Sequence, residues 1–371
     1  MFRLSADHTA GLLTLLRNTL GIPTQSQVSV EDRNDPPRIE LFGPRGLRRF
    51  LRLQMLLTHT HSQERYAVHE LLAADEAPSC PGDIPTHSDL GASEEDRLLE
   101  NESPGKDIRC DSQGYWRGIV VRTIGANGHG KSLDERRGAG RVVIDAGPIE
   151  HRDPCIGYVI REIPYLPEPP ALRGPIPVPR KLVILGDTFN SDALIPLIDP
   201  PSASDDAKFT EPMEVDMDID VPPGDASVGI EDAVVTPDVR DLIANTPVSL
   251  LIHEATDAYI PRDIDPQEKT GRNRTSDSVM EKTRARGHST PWMAGEFAQK
   301  IKAERLVLNH IGARFPAPRM PATRPWERFQ LACIREIEKQ ARDAWKPPKM
   351  RPPSDVTAAY DYCRIVIPPN M

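Results

Sequence analysis

The chain has 371 residues, a formal net charge of −9, 38 prolines and only 5% aromatic residues. That length holds one large domain or two ordinary ones, and the proline content assigns much of it to loops around a smaller core. No apolar run approaches the roughly 18 residues that span a bilayer, so no membrane partner is expected. MFRLSADH opens without the apolar stretch of a secretory signal.

The charge is localised. Asp205 to Asp232 contains ten acidic residues and one lysine, a net of −9, which leaves the remainder at zero. A neutral body can carry basic patches, so the total does not exclude a nucleic-acid partner. The cysteines Cys80, Cys110, Cys155, Cys333 and Cys363 are odd in number, widely spaced and without a CxxC pair. They point to unpaired thiols in a reduced intracellular compartment, with nucleus, cytosol and mitochondrion all open.

In chain order, Asp7-His8 precede a helix from Gly11 to Arg17 whose leucines fall on more than one side, which predicts burial. Arg38 to Phe42 is a short strand, followed by Gly43-Pro44 and a helix from Gly46 to about Leu57 that buries Leu47, Phe50, Leu51 and Met55. Arg45, Arg48, Arg49 and Arg52 suit either phosphate contacts or a solvated helix face. Thr58-His59-Thr60-His61 contains an HxH with nothing nearby to complete a ligand set, and reads as surface loop. Residues 73–114 lack periodicity and read as a variable linker.

Gly118 to Val121 is strand-like and leads into Gly125-Ala126-Asn127-Gly128-His129-Gly130-Lys131-Ser132, a formal P-loop match. A P-loop needs a helix behind the glycines to hold phosphate. Here Gly138-Ala139-Gly140 and the strand from Val142 arrive too soon, so 125–140 reads as a glycine-rich hairpin or loop.

Strands at Val142–Ile144 and Cys155–Ile160 flank His151-Arg152, and residues 163–179 are proline-dense and extended. Three later apolar runs end in chemistry-bearing side chains. Lys181 to Leu185 ends in Gly186-Asp187-Thr188, Leu250-Leu251-Ile252 in His253-Glu254-Ala255-Thr256, and Leu306-Val307-Leu308 in Asn309-His310. Sites in open α/β sheets form beyond the carboxyl ends of strands, and three such endings imply a shared site. Gly287-His288-Ser289-Thr290 closes a loop, and Thr290-Pro291 starts a helix with a hydroxyl cap and proline at its first position. Ala294, Phe297, Ala298 and Ile301 form its apolar face. His288 and His310 are 22 residues apart, joined by that one helix. Ser191 to Ile198 is a short helix, 201–241 a disordered acidic insertion, and Asp263 to Asp277 a polar stretch. Pro325 to Trp345 is an amphipathic helix with Phe329, Cys333, Ile337 and Ala341 in register, and Tyr362 to Ile367 is the last strand.

Taken in order, Phe42-Gly43-Pro44-Arg45-Gly46-Leu47, His151-Arg152 before Gly157-Tyr158, the GDT at Gly186, the HEAT at His253, the HST at His288 and the LNH ending at His310 resemble tRNase Z. This is the tRNA 3′-processing endoribonuclease family of the metallo-β-lactamase superfamily, and the resemblance covers most of the chain. It implies an α/β fold, the metallo-β-lactamase αβ/βα sandwich, as a single domain over residues 1–371. It also implies Zn2+ as cofactor, precursor tRNA as partner and removal of 3′ trailers by phosphodiester hydrolysis, and it admits a homodimer.

Residue by residue, the resemblance makes Asp187 the bridge between two metals. Asp7, His8 and His310 complete one site, and His151 belongs to the other. His288 is the donor or general acid at the scissile phosphate, with His253 and Glu254 behind it and Asp7 in the catalytic group. Ser289, Thr290, Arg45, Arg48 and Arg49 are the expected phosphate contacts. The chain departs from the family at Arg3 and Ser5, where the first histidines of His-x-His-x-Asp-His belong. This reads as an N-terminal truncation with an incomplete first sheet, about one intact zinc site and lowered activity. The proline-dense interval leaves no room for the family's two-helix tRNA-gripping arm. A non-catalytic remnant and a related small-ester metallohydrolase are the competing readings. The GDT–HEAT–HST order disfavours the esterase, whereas Arg3 and Ser5 favour the remnant.

Overall fold

The computed structural model describes residues 9, 11–21, 36–85, 93–123, 140–153, 155–163, 179–199, 246–345, 355–361 and 363–367. Arg3, Ser5, Asp7 and His8 lie outside the described residues, as do the acidic insertion and nearly all of the proline-dense and glycine-rich intervals.

The first half contains α1 (Leu12–Leu20), β1 (Ile39–Pro44), α2 (Leu47–Leu57), β2 (Tyr66–Leu72), β3 (Glu102–Ser103) and β4 (Asp107–Arg109). β2 pairs in parallel with β1, β3 and β4. Leu16 and Leu20 of α1 join Leu47, Leu51 and Met55 of α2 over Tyr66 and Val68, which covers the outer face of this sheet. Leu15 is 60% exposed, so α1 is apolar on one working side only; it is an outer helix, not the buried one its leucines suggested.

The second half contains β5 (Trp116–Thr123), β6 (Arg141–Ile149), β7 (Cys155–Ile163), β8 (Lys181–Leu185), α3 (Ile195–Ile198), β9 (Val248–Glu254), α4 (Ser276–Ala285), α5 (Pro291–Lys300), β10 (Leu306–Asn309), α6 (Pro325–Ala344) and β11 (Val356–Ala358). The strands lie side by side in the order β11-β10-β9-β8-β7-β6-β5. From β5 to β8 neighbours run antiparallel; from β8 to β11 they run parallel. Ala294, Phe297, Ala298 and Ile301 of α5 and Cys333, Ile337 and Ala341 of α6 pack over Val183, Leu251 and Leu308, the faces that helical periodicity predicted.

Between the sheets, Leu71 meets Trp116, Ala146 and Ile156. Hydrogen bonds tie the layers: Trp116 Nε1 donates to the Leu72 carbonyl at 2.9 Å, the Tyr158 hydroxyl donates to the Phe42 carbonyl at 3.2 Å, and Arg122 pairs with the Glu40 carboxylate. Burial pushes the Tyr158 phenol up to about 12, which keeps it a donor. Helix, sheet, sheet and helix therefore stack as the αβ/βα sandwich, with four strands among the described residues of the first sheet and seven in the second.

β5 and β6 face each other antiparallel with Thr123 opposite Arg141, so the glycine-rich interval connects a hairpin. A P-loop instead runs from a strand into a helix. Among the described residues the last strand is Val356–Ala358 beside β10, and 363–367 form none. The Val366 and Ile367 carbonyls are taken by the side chains of Arg305 and Arg180, which occupy the place of a strand partner.

Residues 73–114 are not a linker where they are described. The carboxylate of Glu102 and the carbonyls of Cys80, Pro81, Glu95 and Lys106 close around Arg48 and Arg52 of α2. In the same layer His69 on β2 accepts the Lys106 N–H on its Nδ1 at 3.0 Å and stacks on Phe42. Burial foremost, then the charges of Lys106 and Arg48, push its pKa down to about 4. The unfolded chain takes up a proton there at about 6.5, the folded chain only near 4, so stability falls as pH drops through that window. The loss is about 2–3 kcal/mol between pH 7 and 4.5. Urea denaturation of the parent and His69→Gln across that range checks it: the variant's stability is expected to be flatter by that amount, and parallel pH curves would refute the assignment.

Candidate metal centre

The sheet topology makes the site. β8, β9 and β10 are parallel neighbours, so Asp187, Glu254 and His310 emerge at one edge, the carboxyl end of all three. β7 is antiparallel to β8, with Gly157 opposite Leu185, which brings the β6–β7 turn and His151 to that same edge. His288 arrives from the loop between α4 and α5. That loop is pinned twice: Ser289 Oγ donates to the Thr188 carbonyl at 2.6 Å, and the Thr256 N–H donates to the Ser289 carbonyl at 3.0 Å.

Gly287 has φ of 90°, and a Cβ there would lie 2.5 Å from the Arg152 nitrogen and 2.7 Å from the His151 ring. Only glycine allows the loop to come this close. The His151 and His288 rings consequently sit 4.9 Å apart, and His288 stacks on His310 at 5.3 Å.

Glu254 organises the imidazoles. Its carboxylate, 1% exposed, accepts from the Thr188 N–H at 2.5 Å, from the Thr256 hydroxyl and from His288 Nδ1 at 3.2 Å. Because the Thr256 proton goes to Glu254, Thr256 Oγ1 accepts from His310 Nδ1 at 2.7 Å. His310 therefore carries its proton on Nδ1 and turns the Nε2 lone pair towards Asp187, 3.7 Å away. His310 holds this pose at φ of 50°, a left-handed conformation that histidine tolerates better than most residues. The hydrogen bond to Glu254 raises the pKa of His288 above its ordinary value; burial opposes it, and the charges of Glu254 and Asp187 reinforce it.

These side chains fall into two overlapping sets with ligand atoms within 4.8 Å of one another: His151, Asp187 and His288, and Glu254, His288 and His310. His151 Nε2 is buried without a hydrogen-bond partner, while its Nδ1 lies 3.0 Å from the Asp153 carbonyl. The Asp153 N–H also donates to this Nδ1 at 3.1 Å, so the Asp153 backbone holds one edge of the ring and leaves the orphaned Nε2 among the ligand atoms of the cluster, the atom a cation would take. Imidazole nitrogens and carboxylates together are a zinc-type donor set. Cys155 stands beside them as a free thiol, pushed up to about 12 by burial and then by the charges of Asp187 and Glu254. The other cysteines are likewise free.

Of the residues expected from the sequence, the fold brings His151, Asp187, Glu254, His288 and His310 together. Asp7 and His8 are outside the described residues. The others need correction. His253 neighbours Glu254 on β9 and so faces the opposite side of the sheet. It is buried against Phe297 of α5, and desolvation lowers its pKa; it is a core residue of this sheet, not a support for His288. Ser289 and Thr290 are buried and used internally, Ser289 on Thr188 and Thr290 as the cap of α5.

Arg48 is fully buried, bonded to carbonyls of residues 68, 80 and 106 and to the Asp107 carboxylate. Arg45 donates to the Ala77 carbonyl and Arg49 pairs with Glu95. The start of α2 is filled as well: Gly46, at φ of 101°, and Arg48 donate their N–H groups to the Glu70 carboxylate. That internal anion occupies the place where a phosphate would bind.

The sequence reading did not single out Thr188 and Thr256 as the pins of the cluster, although both stand inside the motifs it quoted. Most of α4 lies beyond the polar stretch of Asp263 to Asp277, and the sequence assigns it no element. This helix buries little beyond Val279 and Thr283, and its signal is the reciprocal cap between Thr275 and Ser278.

No family model matches the chain. It is 27% identical to the human zinc phosphodiesterase ELAC protein 1 over 376 residues, 98% of this chain and 82% of the relative. The bovine protein of the same name gives 27%, and the mouse protein 28% over 375 residues. Among solved structures, human tRNase Z, short form (ELAC1), aligns with a TM-score of 0.46 and 22% identity, covering 99% of this chain and 78% of that one. The metallo-β-lactamase fold protein YhfI from Bacillus subtilis aligns at 0.30 and 10%, covering 84% and 66%. In its ordered motifs and along nearly its whole length, the chain resembles the tRNase Z family, represented among its relatives by the zinc phosphodiesterase ELAC protein 1 of three mammals.

Proposed function

We propose that this chain is a zinc-dependent endoribonuclease that removes 3′ trailers from precursor tRNA by phosphodiester hydrolysis. The observation that carries the reading is the convergence of His151, Asp187, Glu254, His288 and His310 on one sheet edge. The motif order and the whole-length similarity to zinc phosphodiesterases support it. His151 Nε2, Asp187 and His310 Nε2 are the atoms that would hold zinc, which supplies Lewis acidity at phosphoryl oxygens and activation of water at neutral pH.

The protein's own residues fix and protonate. Thr256 and Glu254 lock His310 in the tautomer that leaves Nε2 free of a proton. Glu254 takes the Nδ1–H of His288, which leaves His288 Nε2 as the atom that meets the substrate. As an imidazolium it donates a hydrogen bond to a phosphate oxygen and then a proton to the departing oxygen. His288→Ala is therefore expected to lower kcat on a 3′-extended tRNA by about 10²–10⁴-fold with little change in KM. Steady-state kinetics on the full chain with zinc test this, and a variant that cleaved at the parent rate would overturn it.

A further inference from the structure

Next to the metal centre lies an aromatic and cationic patch that the catalytic reading leaves unused. Phe189 follows Asp187-Thr188 out of β8, and its N–H donates to the Glu150 carbonyl at 2.9 Å, beside the His151 turn. Its ring is half-buried, and the exposed Arg284 guanidinium lies 5.9 Å from the ring centroid. Arg284 stands at the C-terminal end of α4 and accepts the Gly287 N–H on its carbonyl at 2.9 Å, one residue before His288. Arg286, in the same turn, and Arg152, next to His151, are also exposed. An apolar ring with a guanidinium beside it thus lies at the centre, two residues after Asp187, and two more exposed arginines stand one residue from His151 and two from His288.

An internal cation–π pair alone has no need of these further arginines. The two neighbouring arginines are exposed, on turns that carry His151 and His288, where polyanionic chain would pass to reach the centre. A single-stranded nucleic acid is bound by this combination: bases stack on an aromatic face while arginines follow the phosphates.

We infer that Phe189 and Arg284 form a stacking subsite for the base of a nucleotide flanking the scissile phosphate, with Arg152 and Arg286 on the adjoining phosphates. The subsite deepens the endoribonuclease reading and takes its substrate class from it. Stacking on any base is favourable, so the subsite positions the strand without selecting a sequence. It also supplies the phosphate contacts that the buried Arg48 and the internally bonded Arg45 and Arg49 do not make.

The test measures binding, so that it does not depend on turnover. Fluorescence anisotropy with the full chain and zinc would follow a short single-stranded RNA, in parallel with the same RNA carrying one abasic nucleotide at each position in turn. Phe189→Ala is expected to weaken binding of the complete RNA about ten- to a hundredfold. At one abasic position the parent should lose the same factor and the variant nothing further. Phe189→Trp should restore affinity, which separates stacking from a folding defect. Arg284→Ala should weaken binding severalfold and lower the salt slope by a little under one unit. If Phe189→Ala binds like the parent, or loses equally at every abasic position, or Phe189→Trp fails to restore binding, the subsite is wrong. Cleavage of 3′-extended tRNA, followed separately, keeps the two readings apart. Cleavage with unaltered Phe189→Ala binding removes the subsite alone, and base-dependent binding without cleavage removes the activity alone.

Discussion

Purified in the presence of zinc, the full chain is expected to hold about one zinc per monomer, and Asp187→Ala to hold none. Asp187 is 5% exposed at the end of β8, with His310 Nε2 3.7 Å from one carboxylate oxygen and His288 Nδ1 4.0 Å from the other. It belongs to the first of the two candidate ligand sets and adjoins the second. Removing it deprives the imidazoles of a charged common partner. Loss of an outer partner of a ligand already costs about 10–100-fold in metal affinity, so loss of a central carboxylate should exceed that and take the proposed nuclease activity with it. The count of one is what the family resemblance implies, since Arg3 and Ser5 stand where two histidine ligands belong and neither supplies a neutral imidazole. Metal analysis after dialysis decides both points. Two tightly held zincs in the parent would refute the count, and full zinc retention by Asp187→Ala would refute the site. Arg3→His combined with Ser5→His should raise the metal content.

The second large effect concerns stability. Arg52 Nε lies 3.0 and 2.9 Å from the two Glu102 oxygens, and both side chains are 1% exposed. Glu102 also accepts the Leu99 N–H at 3.0 Å, and Arg52 Nη1 donates to the Pro81 carbonyl at 2.9 Å. Glu102→Ala leaves a desolvated guanidinium without its carboxylate, which is expected to cost about 3–5 kcal/mol. Two buried ions repay their desolvation only in part, so replacing both by apolar groups is far milder. Arg52→Met with Glu102→Leu should recover most of the loss. Urea denaturation of the single and double variants measures it. A single-variant loss below about 1 kcal/mol would show that the pair is hydrated in solution.

These buried charges explain why part of the molecule could not be read from the chain alone. Arg45, Arg48, Arg49 and Arg52 look like a phosphate-binding face because four arginines in one stretch ordinarily face water. The partners of their side chains, Ala77, Glu95, Glu102 and Asp107, come from a region whose lack of periodicity concealed that it folds back over α2. Ser289 and Thr290 mislead in the same way: a hydroxyl beside a catalytic histidine reads as a substrate contact until its backbone partner is seen. His253 and Glu254 differ for another reason. Strand alternation sends adjacent side chains to opposite faces, but which face holds the site depends on where α5 packs.

By itself the sequence determined the local elements and the places where chemistry emerges. Apolar runs ending at Asp187, His253-Glu254 and His310 fix three strand ends, and the Thr290-Pro291 start with the Ala294–Ile301 face fixes α5, because each signal is contained within a few residues. Tertiary structure alone decided that these ends share one edge, since parallel pairing of β8, β9 and β10 is made between residues more than fifty positions apart. It also decided the protonation pattern. A carboxylate can direct imidazole tautomers only through hydrogen bonds, and Glu254 reaches His288 directly and His310 through Thr256 only after the loops have closed over the sheet.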